Sequence, residues 1–516
     1  MINPHQWRLR TCLSQVCGWQ FSRLKSNLAA TAIAAVIASS VTAVAVHSQA
    51  VPPSAAGNLT PEAAQAAPAL PNFVSLVKTV KPAVVSVRVR SEASPQVLTE
   101  GGNIFPFEPF EGTPFERFFG DRQGSPNGMP RAPHRMQQAL GSGFLISADG
   151  YIVTNNHVVD KASKVEVVSD DGTTYDAKVV GTDKKTDLAL LKVDGRNDFP
   201  FVRFGDVKPN TGEWVVAMGN PFGLGGTVTA GIVSAQGRDI GSGPYDDYLQ
   251  IDAAVNRGNS GGPTFNMNGR VIGVNTAIYS PSGGNVGIAF SVPASTAKWV
   301  VDQLKEHGSV QRSWLGVKVQ AVTKSIADGL GMDTAKGVLI ASTEADSPAA
   351  KAGLKSGDVI VSVNGAAVQN PRDLARKIAT VAPNTAVKLE IVRGGSTQSV
   401  EATLAKMKAS PNPRVASANP DETDHPGKLG ITVAPAAEVD GAGDQGLAVL
   451  QVDPQGKAAE VGLAAGDVMI KAGGQQLGNV GDLNGAMAAA SAKGKRNVLV
   501  LVRRGDAQRY VAVPVA

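Results

Sequence analysis

Gly258, Asn259, Ser260, Gly261, Gly262 and Pro263 set a serine among glycines, the pattern of a hydroxyl nucleophile held in a tight turn. A serine hydroxyl is a weak nucleophile at its free pKa, so it needs a neighbouring base, and the oxyanion it creates needs fixed donors. Glycines supply those donors by letting backbone N–H groups approach a reacting atom closely. The same letters also describe an ordinary turn, so the reading stands or falls on partners elsewhere in the chain.

The chain has 6 histidines. His5 and His47 lie in or beside an N-terminal apolar stretch, His134 in a long insertion, His307 near a linker and His425 between later domains. Only His157 sits within the β-rich part upstream of Ser260, just after Tyr151, Ile152, Val153, Thr154, Asn155 and Asn156. A catalytic imidazole needs an acceptor on its other nitrogen to hold the tautomer and stabilise the imidazolium. Asp187 is the first candidate, because it opens the apolar run Leu188, Ala189, Leu190, Leu191, where a carboxylate can sit desolvated beside the ring. Asp183 and Asp252 are rivals. Asp183 lies among Lys184 and Lys185 in what reads as a solvated turn, and Asp252 lies close before the serine on its own strand. The order His157, Asp187, Ser260 is that of the chymotrypsin-like triad; α/β-hydrolases and subtilisins use other orders.

Those residues must be positioned by a substantial scaffold. With 516 residues and 43% hydrophobic content, the chain is long enough for about three to four domains. The net charge of +5 and pI near 9.0 are concentrated at the N-terminus. Arg8, Arg10, Arg23 and Lys25 fall within the first 46 residues without one acid, leaving +1 for the remainder. No aromatic-interleaved basic stripe stands out, so the footprint of a nucleic-acid binder is missing. The basic region followed by the apolar run 28–46 reads as an export signal, with cleavage after Ala45 or Ser48; an uncleaved anchor is the alternative, and only then is membrane contact expected. Both cysteines, Cys12 and Cys17, precede that run, so the exported part would hold no thiol for catalysis or metal binding. No metal cluster, phosphate loop or dinucleotide fingerprint appears, and neither metal nor cofactor is expected.

Residues 1–50 are thus a signal or anchor, and 51–71, rich in Pro and Ala, a linker. Phe73, Leu76, Val77 and Val80 follow a helical spacing that Pro82 ends. Short β-rich runs then begin at Ala83, separated by Gly and Asp turns, which indicates a barrel or sandwich. An insertion over 91–138 is too long for an ordinary hairpin, and strands resume at Phe144. Phe105, Phe107, Phe110, Phe115, Phe118 and Phe119 in that insertion form either a contact with another subunit or a satellite cluster on their own domain.

Four segments then carry a resemblance: GSGFLISADGYIVTNNHVV (141–159), TDLALLKV (186–193), GNPFGLGGTVTAGIVSA (219–235) and NRGNSGGP (256–263). In that order they closely resemble the HtrA family of Deg-type periplasmic serine endoproteases. The resemblance implies a mostly β chain in which a chymotrypsin-like double β-barrel protease domain (72–305) precedes two α+β PDZ domains. It makes Ser260 the nucleophile, His157 the general base then acid, and Asp187 the orienting carboxylate. It gives Gly258, Asn259 and Ser260 N–H groups the oxyanion. Ala254 stands where trypsin-like relatives that select basic side chains have Asp, and the corresponding pocket positions, Val255, Ala277 and Ile288, are all apolar. A pocket of that kind favours a small aliphatic side chain, because a charge buried there would go unpaired.

Downstream, residues 352–375 recur ungapped as 461–484, with Gly357 and Asp358 matching Gly466 and Asp467. The two copies resemble PDZ domains at 306–407 and 427–516, joined by a linker over 408–426 that would permit reorientation. Leu315, Gly316 and Val317 form the first carboxylate-binding loop and Leu429, Gly430 and Ile431 the second. Such a loop takes an extended peptide tail as an added strand. The second copy is glycine-rich at Gly473 and Gly474, and docking between subunits weighs nearly as much there as peptide capture. Family resemblance further implies trimers or their multiples, and a sensor loop over 237–248, including Arg238, through which peptides at the first PDZ domain switch activity. The expected function is ATP-independent cleavage of unfolded envelope proteins in quality control and stress response. The alternative is a peptide-binding holdase whose protease domain is mostly latent.

Overall fold

The computed structural model describes residues 71–91, 137–220, 226–256, 258–280, 284–407 and 429–515. The export segment, most of the 51–71 linker, the phenylalanine-rich insertion and the 408–426 linker therefore lie outside the described residues. No helix among the described residues is long and apolar enough to cross a membrane.

The first helix, α1 (Val74–Val80), buries Leu76 and Val80, as its spacing requires. Six strands follow: β1 (Val84–Ser91), β2 (Gln137–Leu145), β3 (Tyr151–Thr154), β4 (Lys164–Val168), β5 (Thr174–Asp183) and β6 (Leu188–Val193). They close in the order β1-β2-β3-β6-β5-β4. Strand β2 starts at Gln137, ahead of the restart expected at Phe144, because β1 and β2 pair without a break from Val84↔Phe144 out to Ser91↔Gln137. That ladder brings the two ends of the insertion together. A second barrel comprises β7 (Trp214–Gly219), β8 (Thr227–Arg238), β9 (Tyr248–Ile251), β10 (Pro263–Asn266), β11 (Val271–Ile278) and β12 (Ala289–Pro293), closed as β10-β11-β12-β9-β8-β7. All of β11 is buried, since one face lines the barrel and the other meets a helix, α3 (Ala294–His307). That helix presents Ala297, Val300, Val301 and Leu304 inward at i, i+3, i+4 and i+7. The valines and the leucine each contribute roughly 1.5–3 kcal/mol when taken from water. Between β3 and β4 lies a single helical turn, α2 (Asn156–Val159), wholly buried and carrying His157.

The next module pairs β13 (Ser313–Trp314) with β20 (Ala405–Lys406), so its two ends meet. Its sheet runs β14 (Val317–Ala321), β15 (Val338–Thr343), β16 (Val359–Val363), β18 (Ala386–Arg393) and β19 (Ser396–Thr403), with β17 (Ala366–Ala367) on β16. Helices α4 (Lys324–Leu330), α5 (Pro348–Lys351) and α6 (Pro371–Ala379) complete it. The last module repeats the plan with β21 (Ile431–Pro435), β22 (Leu447–Val452), β23 (Val468–Ala472), β25 (Asn497–Arg504) and β26 (Ala507–Pro514), and β24 (Gln475–Gln476) on β23. Its helices are α7 (Lys457–Glu460) and α8 (Val480–Ala492).

The Asp shared by the two copies is structural. Asp358 is buried and held by Arg393 at 2.6 Å twice, and Asp467 is buried and held by Arg504 at 2.5 and 2.7 Å. In each copy the carboxylate also accepts a turn N–H, from Lys355 or Ala464. The two modules touch each other directly. Gln320 bonds both the N–H and the C=O of Tyr510, Asp328 accepts the N–H groups of Arg496 and Asn497, and Val322, Ile326, Leu339 and Leu499 share one apolar cluster.

Candidate active site

Asp187 owes its place to the turn between β5 and β6, where its backbone adopts φ 56°. Left-handed backbone is tolerated best by Gly, Asn and Asp. Here the conformation aims both the carbonyl and the carboxylate at α2. The carbonyl accepts Asn156 N–H at 3.1 Å and the Asn155 side-chain amide at 2.8 Å. The carboxylate accepts His157 N–H at 2.9 Å and faces His157 Nδ1 at 2.6 Å. Asp187 is 2% and His157 5% exposed. An ionised carboxylate only accepts, so Nδ1 carries the proton and Nε2 is left with the lone pair. In the neutral ring that is the tautomer a general base uses.

The rival carboxylates are engaged elsewhere. Asp252 accepts Ile232 N–H at 2.6 Å and so ties β9 to β8. Asp183, expected in a solvated turn, is buried. Arg312 grips it through two bonds of 2.8 and 2.6 Å, and Thr186 donates its hydroxyl at 2.5 Å. A bidentate partner from beyond the barrels turns a surface position into an interior one. Sequence proximity to Lys184 and Lys185 gave no sign of it.

Ser260 lies on the second barrel and is 8% exposed. Its turn is pinned against the first. Ser142 N–H donates to Ser260 C=O at 2.9 Å, and Gly261 N–H donates to Asn275 C=O at 2.8 Å. Gly261 has φ 85°, and a Cβ there would stand 2.2 Å from Ser142 C=O, 2.3 Å from Thr154 Oγ1 and 3.0 Å from Asn155 N. Only glycine permits that approach, and the segment it approaches leads straight into His157. Gly258 has φ 94°. Asn259 N–H is spent on Asn256 C=O at 3.0 Å, whereas neither Gly258 nor Ser260 N–H has an acceptor among the described residues. Two of the three expected oxyanion donors are therefore available.

Of the pocket positions, Val255 and Ala277 are buried, and Ile288 is half-buried with its C=O accepting Tyr279 N–H at 3.0 Å. Asn285 caps Val255 C=O at 3.1 Å. In the first PDZ module, Leu315 C=O accepts Ala349 N–H and Gly316 C=O accepts Glu344 N–H, which leads into half-buried Val317. In the second, Leu429 C=O accepts Ala458 N–H and Gly430 C=O accepts Asp453 N–H, which leads into half-buried Ile431. Both glycines have positive φ, so both loops keep one backbone shape.

Among the described residues, the hydrogen bond of Arg238 stays within its own barrel. Its Nε donates to Gln250 at 2.8 Å, bracing β8 on β9. The loop meets α6 through acids instead: Asp239 pairs with Arg372 at 2.5 Å, Asp247 with Arg376 at 3.5 Å, and Asp246 C=O accepts from Arg376 at 2.7 Å. Burial pushes the carboxyls of Asp246 and Asp247 above their ordinary range, and burial likewise pushes the Tyr248 phenol well up. Among the described residues, no group of His, Cys, Asp or Glu side chains is arranged to hold a metal.

Two closed barrels that bring a histidine, a carboxylate and a glycine-bound serine towards one another are the architecture of a trypsin-like serine peptidase, here followed by PDZ modules. Comparison with known proteins agrees. The trypsin-like peptidase domain family matches residues 141–274, and the PDZ domain family matches 313–404 and 427–515. A relative in Brucella suis biovar 1, named "Probable periplasmic serine endoprotease DegP-like", is 48% identical over 86% of this chain and 89% of its own. One of the same name in Rhizobium meliloti is 46% identical over 87% and 93%. Among solved structures, "HtrA-type protease AlgW with tripeptide" superposes with a TM-score of 0.53 at 34% identity, covering 66% of this chain and 99% of that one. The chain belongs to the HtrA family, as a DegP-like periplasmic serine endoprotease.

Proposed function

We propose that Ser260, His157 and Asp187 are the triad of this protease and that it cuts unfolded envelope proteins after small aliphatic residues. The observation that carries the reading is the doubly bonded His157–Asp187 pair, at 2.6 and 2.9 Å. It fixes the ring in one tautomer and one orientation, beside a serine turn stapled to the preceding strand. His157 Nε2 takes the Ser260 proton as Oγ attacks the scissile carbonyl, and the resulting imidazolium is stabilised by Asp187. The oxyanion is held by Gly258 and Ser260 N–H groups, each worth about 3 kcal/mol in the transition state. His157 then returns the proton to the leaving amine, and water releases the acyl group by the same steps in reverse roles. Val255, Ala277 and Ile288 supply apolar walls without a counter-charge, which supports small aliphatic specificity. Bonds from Arg372 and Arg376 on α6 to Asp239, Asp246 and Asp247 support control by peptides at the first PDZ module, since α6 packs on β14, the strand that follows the Leu315–Gly316 loop, and the 237–248 loop leads into β9.

Cleavage of an unfolded protein and of a P1-varied peptide library tests the reading. Wild type is expected to cut after Val or Ala, and Ser260→Ala to lose turnover. Persistent activity of Ser260→Ala, or an Arg or Lys preference, would overturn it.

A further inference from the structure

The reaction needs more than the triad, because the oxyanion donors sit on a turn whose own backbone bonds, Asn259 N–H to Asn256 C=O and Gly262 N–H to Asn259 C=O, each 3.0 Å, leave the Gly258 and Ser260 carbonyls to be held from outside. Gly258, at φ 94°, lacks a Cβ and has little intrinsic preference between conformations of opposite hand. Something outside the turn must choose one. Among the described residues a single side chain bonds the carbonyls of 258–260, and it belongs to the other barrel. Ser142 on β2 is fully buried, and its hydroxyl donates to Gly258 C=O at 2.6 Å while accepting Asn220 N–H at 2.7 Å. Its backbone N–H donates to Ser260 C=O at 2.9 Å. Its own carbonyl accepts the Thr154 hydroxyl at 2.7 Å, on the strand that runs into α2 and His157.

We infer that Ser142 is a positioning residue for the oxyanion hole, holding the Gly258 turn in its productive hand and in register with His157. The argument is geometric. A peptide group is planar, so fixing Gly258 C=O by Ser142 together with Asn259 N–H by Asn256 C=O fixes one whole plane. Fixing Ser260 C=O by Ser142 N–H fixes the plane two residues on. The Gly258 and Ser260 N–H groups stand on the amino sides of those residues, in the peptides next to the clamped planes, and have no acceptor among the described residues. The hydroxyl is fully used, with one bond donated and one accepted. Without it, buried Asn220 N–H and half-buried Gly258 C=O both lose this partner, and rotating the 258–259 peptide to find another donor for the carbonyl becomes favourable. That rotation frees ψ of Gly258 and φ of Asn259, the torsions that join the clamped plane to the two flanking peptides carrying the Gly258 and Ser260 N–H donors, so the donors lose their fixed relation to each other.

The inference rests on Ser260 being the nucleophile, so the test includes labelling of Ser260 by a fluorophosphonate. Wild type that is not labelled there overturns the triad reading, whatever Ser142 does. With labelling established, Ser142→Ala is expected to lower kcat/KM roughly 10- to 100-fold, mainly in kcat, a fraction of the effect of deleting a donor outright. Affinity for a peptide boronate, which occupies the hole as a tetrahedral anion, is expected to fall in proportion. The acidic limb of the pH profile stays in place because the His157–Asp187 pair is untouched, and Ser142→Thr, which keeps the hydroxyl, recovers at least about a third of kcat/KM. A folded Ser142→Ala with both quantities within about threefold of wild type overturns the inference, as does a fall in kcat/KM with boronate affinity unchanged. If Ser142→Ala does not fold, Ser142→Cys, a weaker donor of similar volume, takes its place with the same two readouts and the same refuting outcomes.

Discussion

Arg312→Ala is the perturbation whose size the structure defines best. Arg312 stands where the chain leaves the barrels, and its C=O accepts Met407 N–H at 2.8 Å, so both ends of the first PDZ module converge on it. Its guanidinium and the Asp183 carboxylate are 5% and 7% exposed, and they bond at 2.8 and 2.6 Å. The cation also lies 4.7 Å from the Tyr245 ring and 5.6 Å from the Trp299 ring. Truncation leaves Asp183 buried with Thr186 as its remaining side-chain donor, a situation that costs about 3–5 kcal/mol. The lost ring contacts add about 0.5–2 kcal/mol, though the two contributions overlap. The chain is multidomain, so a single melting curve does not isolate this site. Native-state hydrogen exchange of the β6 amides, immediately beyond Asp187, reads it locally. The apolar pair Arg312→Met with Asp183→Leu should return most of the stability, because the penalty belongs to the lone charge. A loss below about 1 kcal/mol for Arg312→Ala, or no recovery in the double variant, would refute the reasoning.

Asp187→Asn keeps the shape of the turn but offers Nδ1 an amide in place of a carboxylate, and kcat should fall about 10⁴-fold with little change in KM; steady-state kinetics giving less than about a tenfold loss would remove Asp187 from the triad. Gly261→Ala drives a Cβ to 2.2 Å from Ser142 C=O at φ 85°, so kcat/KM should drop by at least about 10²-fold while the PDZ modules remain folded by circular dichroism. Asp246 and Asp247 have carboxyls raised by burial, so whatever stability they contribute is fully present below pH 3.8 and is lost as pH rises through their higher folded values. Carbon-detected titration should place both midpoints above the ordinary aspartate value of 3.8; a midpoint at or below it would show that burial is offset.

The sequence by itself marked the candidates for the chemistry. The glycines around Ser260, the lone histidine of the β-rich part and the carboxylate at the mouth of β6 are local signals, because a tight turn, a strand end and an apolar run each leave a mark within a few letters. The repeat 352–375 and 461–484 was legible for the same reason: each module folds around its own short-range pattern, including the Asp358–Arg393 and Asp467–Arg504 pairs it conserves between copies. Only the tertiary structure decided the partners that come from far along the chain. Asp183 reads as solvated until Arg312 closes on it, Ser142 reads as one letter of a strand until its hydroxyl meets Gly258, and only the folded chain shows Asp239, Asp246 and Asp247 bonded to α6. A hydrogen bond between barrels depends on where two closed sheets come to rest against each other, and no spacing within either strand encodes that distance.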